Sequence, residues 1–299
     1  MKIVDINELN EKYKTRADFT EADAEYFQKI DEIKESVIKN AATAPVILIA
    51  GPSGSGKTTT AHNLEAALDK AGAETHTVSL DNYFRTVTEE ERSTIDFESP
   101  SRVDGELLSE HIAKIARGEE IEIPVFDFPN MRRSDETIKL KRSDGELIIF
   151  EGIHALNPSV ITAPGEFTAK IYVSVRTRVS YGNEVLQPEY VRLLRRIARD
   201  KLYRGRTAAV TLSYLESVTR GENNFVKPFK RFADFQIDTF LGYEAGVYKS
   251  IIERDIINVA ADEKDENAKK ILTGFLSCVC ALDKEKTPEN SLIREFIGR

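Results

Sequence analysis

At 299 residues the chain has room for one large domain or two small ones, with ample core in either case. Charged residues make up 31% and the net charge is -8, so the average field repels nucleic acid and anionic lipid, and any polyanion must be held by a local basic site. No apolar stretch reaches 18 residues and residues 1–10 lack the charged-then-apolar order of a secretion signal, so the expectation is a cytoplasmic protein with neither a nucleic-acid nor a membrane partner.

Residues 1–44 are polar and acidic, with Tyr26, Ile30, Ile33, Val37 and Ile38 at helical spacing, and read as a helical arm packed on a main domain at 45–299. The apolar, β-branched run 45–50 reads as a buried parallel strand. It leads into Gly51-Pro-Ser53-Gly54-Ser55-Gly56-Lys57-Thr58, which fits the phosphate-binding pattern G-x-x-x-x-G-K-[ST]; such a match arises by accident in about one chain of this length in a hundred. Ala61, Leu64, Ala67, Leu68 and Ala71 then recur at helical spacing up to Gly72. In a strand, glycine loop and helix the backbone comes close to the ligand and the helix adds its positive end. Lys57 is expected to reach the β- and γ-phosphates of ATP, the Thr58 hydroxyl to bind Mg²⁺, and Thr59 to complete the nucleotide site.

From residue 45 onward strands and helices alternate, as in a parallel-sheet α/β domain, with further strands expected at 75–80, 147–151, 170–175 and 255–260. The second strand ends before Asp81. Ligands of open α/β sheets bind outside the carboxyl ends of strands, so Asp81 is expected to face the loop, accept the proton of an attacking hydroxyl and help hold Mg²⁺. Residues 121–146 suggest a small hairpin-rich insertion, with a turn at Ser143-Asp144-Gly145. The strand 147–151 ends in Glu151, the form expected of a second metal-side carboxylate.

Beyond Pro188, a helix start, Arg192, Arg195, Arg196 and Arg199 fall within an arc of about 100°. Residues 191–206 hold six arginines and Lys201 against Asp200 alone, in a chain of net charge -8. The expectation is a phosphate clamp and lid spanning 188–225: Arg196 and Arg199 neutralise transferring oxygens, while Arg204 and Arg206, around Gly205, close over ATP. Cys278 and Cys280 are too close together for an ordinary bridge and too few for zinc, and read as buried thiols. His62, His76, His111 and His154 form no ligand cluster in the sequence, which favours Mg²⁺ as the metal.

These residues resemble the uridine kinase and phosphoribulokinase family of P-loop kinases over roughly 45–260. The resemblance is carried in order by the phosphate loop, Ser79-Leu-Asp-Asn-Tyr-Phe-Arg85, Asp96-Phe-Glu-Ser-Pro100, Pro124-Val-Phe-Asp-Phe128, Phe150-Glu-Gly-Ile-His-Ala-Leu156, the arginine helix and Arg204-Gly-Arg206. The run Arg220–Phe229, with Ala233-Asp234 and Tyr243-Glu244, looks like a bacterial uridine-kinase-like branch. The resemblance implies a P-loop NTPase-type parallel sheet flanked by helices, with a β-hairpin insertion and a helical lid. It also implies Asp81 as base, Glu151 as metal-side acid, and Arg196, Arg199, Arg204 and Arg206 as clamp and lid.

The departures fall in the acceptor pocket expected at Phe84, Phe97, Glu98, Phe126, Met131, Arg133 and Arg196. Glu98 stands where uridine-cytidine kinases carry Asp for the ribose hydroxyls, Phe126 replaces a Tyr, and Met131 aligns with a pyrimidine-reading His. Loss of two polar groups weakens discrimination for a pyrimidine. Arg102, Arg132 and Arg133 suggest a phosphorylated or acidic acceptor as an alternative. The sequence thus implies a kinase of a small-molecule hydroxyl, most readily a nucleoside 5′-hydroxyl, with a sugar phosphate or pantothenate-like acid as rivals and a homo-oligomer left open. A nucleotide switch or mechanical ATPase is the reading from another class; no Asn-Lys-x-Asp or Leu-Ser-Gly-Gly-Gln segment supports it.

Overall fold

A computed structural model describes residues 2–91, 95–162, 165–260 and 266–298. In chain order the elements are β1 (Ile3–Asp5), α1 (Ile6–Lys14), α2 (Ala24–Asn40), β2 (Val46–Ala50), α3 (Lys57–Lys70), β3 (Thr75–Ser79), α4 (Gly105–Ala116), β4 (Glu120–Asp127), β5 (Arg132–Lys141) and β6 (Leu147–Glu151). There follow β7 (Thr168–Ser174), β8 (Arg178–Tyr181), β9 (Glu184–Leu186), α5 (Pro188–Tyr203), α6 (Ala208–Ser213), α7 (Leu215–Phe225), β10 (Phe235–Asp238), α8 (Glu244–Ile257), α9 (Glu266–Cys278) and α10 (Arg294–Ile297).

The central sheet is wholly parallel, in the order β10-β7-β2-β6-β3. Strand β2 lies in its middle, which is why every residue from Val46 to Ala50 is apolar and buried. Successive side chains go to opposite faces: Ile47 and Ile49 join one core cluster, with α3, α5 and α8, while Val46, Leu48 and Ala50 join the other, with α4 and the β4–β5 hairpin. Both faces are therefore covered, and only the loop edges of the sheet stay open for a ligand. This is an α/β P-loop NTPase fold.

The arm packs as its spacing predicts along α2, where Tyr26, Ile30, Ile33 and Val37 are buried and Ile38 is half-buried. The Tyr26 hydroxyl donates to Thr60 Oγ1 at 3.1 Å, tying the arm to α3. The arm is not helical throughout: β1 pairs in parallel with β8 and, through it, joins β9 in a three-stranded sheet.

Three further expectations are corrected. Residues 255–260 are not a strand, because Tyr248, Ile252 and Ile256 continue the buried face of α8; the fifth sheet strand is β10, where only Ile237 is buried. In the insertion, β4 and β5 form the antiparallel hairpin through Phe128–Met131, with a register irregularity at Pro124, whereas the turn at Ser143–Gly145 links β5 to the central strand β6. The two cysteines are free, Cys278 exposed and Cys280 half-buried, so neither is the buried thiol expected.

Candidate active site

The loop after β2 closes tightly because it has glycine where a side chain cannot fit. A Cβ at Gly51 would meet the Val173 carbonyl oxygen at 2.1 Å, and Gly56, which caps α3, holds a φ of 85°. The loop's carbonyls are held from outside. Arg192 Nη1 donates to Ser53 O at 2.8 Å, Arg195 Nη1 to Gly54 O and Ser55 O at 3.2 Å each, and Thr239 Oγ1 to Ser55 O at 2.7 Å. The first-turn N–H groups of α3, which have no intrahelical partner, remain as donors for an anion.

These bonds set Arg192 and Arg195 apart from the arginines expected to meet phosphate. Arg192 is paired with Glu222 at 2.5 and 2.7 Å, and Arg195 with Glu244 at 2.7 and 3.0 Å; all four side chains are buried. Both guanidiniums brace the loop from behind, dividing their donors between a buried carboxylate and the loop carbonyls. Arg196 and Arg199 differ. Arg196 is 8% exposed and makes no hydrogen bond or ion pair among the described residues, while its stem packs against the loop at Gly54. Arg199 has ion-pair contacts only at 3.7 Å to Glu295 and 4.0 Å to Asp200. Burial lowers the pKa of both, the mark of cations with too little neighbouring negative charge. Arg204, half exposed, leans on Asp200 at 3.2 Å beside Gly205, and Arg206 is exposed.

Asp81 sits in the short 3-10 turn that follows β3, and the Ser79 hydroxyl oxygen accepts its N–H. Its carboxylate makes no hydrogen bond among the described residues and opens on the cleft. Crowding by protein raises its pKa, and Lys57, Arg204 and Arg199 pull it back. Glu151 ends β6 in register with Ile49 of β2 and Ser79 of β3, so the sheet itself sets it beside the loop and Asp81. Burial raises its pKa, opposed by Lys57, and its buried Oε2 has no hydrogen-bond partner. A buried carboxylate oxygen without a donor calls for a ligand, and with Thr58 at the start of α3 the oxygen donor set suits a hard divalent cation. Among the described residues no histidine joins a ligand cluster at this site; His76 lies with Glu74 and Glu146 at the opposite end of the sheet.

Across the cleft, Phe84 is at the centre of an aromatic group, with ring centroids 6.5 Å from Phe97, 5.6 Å from Phe126 and 6.3 Å from Phe128. Phe97 and Phe128 are largely exposed, so the group presents ring surface to solvent. Met131 takes the left-handed conformation, φ 51°, that closes the hairpin turn. Arg133 is committed elsewhere: Nε donates to Phe84 O at 3.0 Å, and Nη2 reaches Tyr83 O and Asp104 Oδ2 at 3.1 Å each. Arg102 donates to Arg85 O at 2.6 Å and lies 3.6 Å from Glu91. Arg132 lies on the exposed hairpin.

Glu98 is half-buried, packed on Gly221, with Oε2 sealed and unpartnered. Burial and the nearby Glu222 push its pKa up to about 7, against Lys57 and Arg196. A carboxyl that holds its proton more tightly when folded gives its full contribution to stability below about pH 4.5 and loses it as pH rises through about 7. Glu98→Gln should therefore gain on the wild type by on the order of 1–2 kcal/mol between about pH 5 and about pH 8, read from urea midpoints. A difference independent of pH contradicts the assignment. Nearby His154, 1% exposed, is held neutral, its pKa pushed down to about 4 by burial.

Sequence reading did not find Glu222, Glu244 and Thr239, which lock the loop, although the first two lie in runs already singled out as distinctive. It also missed Glu295, which accepts a hydrogen bond from the Thr59 hydroxyl at 2.7 Å and belongs to a four-residue helix with no recognisable motif.

Residues 46–241 match the Phosphoribulokinase / Uridine kinase family. The chain is 35% identical over 203 residues to a uridine kinase of Staphylococcus haemolyticus, covering 66% of this chain and 88% of that protein. With a uridine kinase of Macrococcus caseolyticus it shares 34% over 196 residues, 64% of this chain and 86% of that one. The fold is similar to that of a putative fructose transport system kinase from Silicibacter sp. TM1040, at TM-score 0.54 and 17% identity over 69% of this chain and 98% of the other. No helix among the described residues is long and apolar enough to cross a membrane. With two-thirds of its length matching, and the loop, strand-end carboxylates and arginine helix that such chemistry uses, the chain is an ATP-dependent kinase of the phosphoribulokinase / uridine kinase family.

Proposed function

We propose that this kinase transfers the γ-phosphoryl group of ATP to the 5′-hydroxyl of a nucleoside. The observation that carries the choice of acceptor is the cleft wall opposite the loop. It offers aromatic faces, and two of the three arginines that would recognise a phosphorylated or acidic acceptor are engaged elsewhere, Arg133 with Asp104 and two carbonyls and Arg102 with Arg85 O and Glu91, while Arg132 lies on the exposed hairpin. Stacking on the exposed rings of Phe97 and Phe128, backed by the buried Phe126, suits a base and tolerates many. Glu98, which neighbours Lys57 and Arg196, and Arg196 itself are the polar groups assigned to the sugar hydroxyls, and Met131 offers no base-specific hydrogen bond. The relatives named uridine kinase support a nucleoside, and the phenylalanine wall favours weak discrimination among bases.

The chain's residues then divide the work. Asp81 orients the hydroxyl and takes its proton; the loose transition state asks for position more than basicity. Lys57, Arg196 and Arg199 stabilise charge on the transferring group, and Arg204 and Arg206 swing about Gly205, whose φ of 60° suits a hinge, to exclude water. Gly51, Ser53, Gly54, Ser55, Gly56, Thr58 and Thr59 cradle the donor phosphates. Thr58 and Glu151, with Asp81, would hold Mg²⁺, which when bound neutralises phosphate charge.

Acceptor-dependent ADP release tests the reading. Nucleosides should raise it well above the acceptor-free rate, whereas sugar phosphates and pantothenate should not. Release driven by a sugar phosphate alone moves the acceptor assignment, and release needing no acceptor points to a switch.

A further inference from the structure

The C-terminal turn α10 lies against the phosphate loop and outside the residues that match the family, 46–241. It is fixed there by packing. Leu292, Ile293 and Phe296 are fully buried and Ile297 is 4% exposed. Leu292 fills the space beside Gly56, where a Cβ would come within 2.7 Å of it. The Phe296 ring lies under the guanidiniums of Arg195 and Arg199 at 5.4 and 5.9 Å, and Ser291 and Tyr243 share a hydrogen bond of 2.6 Å.

On this anchored turn the Glu295 carboxylate accepts from the Thr59 hydroxyl at 2.7 Å and, more weakly, from the Thr59 N–H at 3.4 Å. Its other oxygen is 3.7 Å from Arg199. Thr59 is the third residue of α3, so its N–H has no intrahelical partner and is one of the donors a phosphate takes at such a helix start. A single carboxylate thus holds both a phosphate donor of the loop and a cation of the clamp.

We propose that Glu295 is a built-in anionic occupant of the donor-phosphate site, which a nucleotide phosphate must displace from Thr59 and Arg199, so that donor affinity is set by this competition. The inference rests on nucleotide binding at the loop. A side chain that merely caps α3 would stabilise the protein without opposing phosphate.

Calorimetric titration of the full chain with ATP and with inorganic tripolyphosphate separates these cases. Glu295→Gln, isosteric at a side chain about one-fifth exposed, should bind both at least about tenfold more tightly than the wild type, with the gain shrinking as salt rises. Its melting temperature should fall slightly as the negative charge at the helix start is lost. Equal or weaker binding of ATP by Glu295→Gln overturns the proposal, as does a gain confined to ATP and absent for tripolyphosphate, which would place the effect on the base or sugar. Lys57→Ala, which should lose binding of both, is the control: binding that survives it, or no binding by any of the three proteins, removes the loop as the nucleotide site and the proposal with it.

Discussion

Asp81→Asn is expected to lose between about a hundredfold and ten-thousandfold in turnover while its affinity for ATP stays within a few fold. The side chain carries no structural duty that Asn would upset: its carboxylate makes no hydrogen bond among the described residues and opens on the cleft. Melting temperature should therefore hardly move, which separates the effect from misfolding. The pH profile gives a second readout. A base works only when deprotonated, so wild-type turnover should fall on the acid side, and the crowding that raises the Asp81 pKa places that limb above the ordinary aspartate value of 3.8. In Asp81→Asn the limb should vanish from the residual rate. Near-normal turnover in this variant would remove Asp81 as the base and leave the phosphate loop reading intact.

Arg195→Ala has the largest expected effect on stability. Arg195 is completely buried and donates to both oxygens of Glu244, to Gly54 O and Ser55 O, and to Thr239. Its loss strands Glu244, itself 0% exposed, without its cation, though the Leu241 N–H still donates to it at 2.9 Å. Orphaning one member of a buried pair costs about 3–5 kcal/mol, a large share of the roughly 5–15 kcal/mol that keeps a domain folded. Melting should drop by on the order of 10 °C. Replacing both partners, Arg195→Met with Glu244→Leu, should recover much of the stability, since no charge is then stranded. It should not recover ATP affinity, because Gly54 O still lacks its arginine donor and Ser55 O keeps only that of Thr239 among the described residues. Full recovery of both would mean that Arg195 holds the fold and has no part in shaping the loop.

That arginine pair also shows where sequence reading stops. Helical spacing puts Arg192, Arg195, Arg196 and Arg199 on one arc, and nothing local tells two braces from two free cations. The difference is made by Glu222 and Glu244, which lie 30 residues beyond Arg192 and 49 beyond Arg195. What was legible was local: the apolar run of β2, its glycine loop and α3, and the runs of β3 and β6 that deliver Asp81 and Glu151 to adjacent positions once the strands pair in parallel. The three-residue strand β1 gave no such signal, because it exists only by pairing with β8, far along the chain. Strand β10 was hidden by its single buried residue, and Ile256-Ile257 imitated a strand while finishing a helix. In the acceptor pocket the residue types were readable but their commitments were not: Arg133 looks like an anion reader in sequence and is tied to Asp104 in the fold.

³¹P NMR of the protein with ATP, Mg²⁺ and a nucleoside follows phosphoryl transfer to the proposed nucleoside hydroxyl directly. ADP and a nucleoside 5′-monophosphate should appear in equal amounts, from uridine and from at least one other nucleoside. Accumulation of inorganic phosphate in place of the monophosphate, with every nucleoside tried, would contradict that transfer.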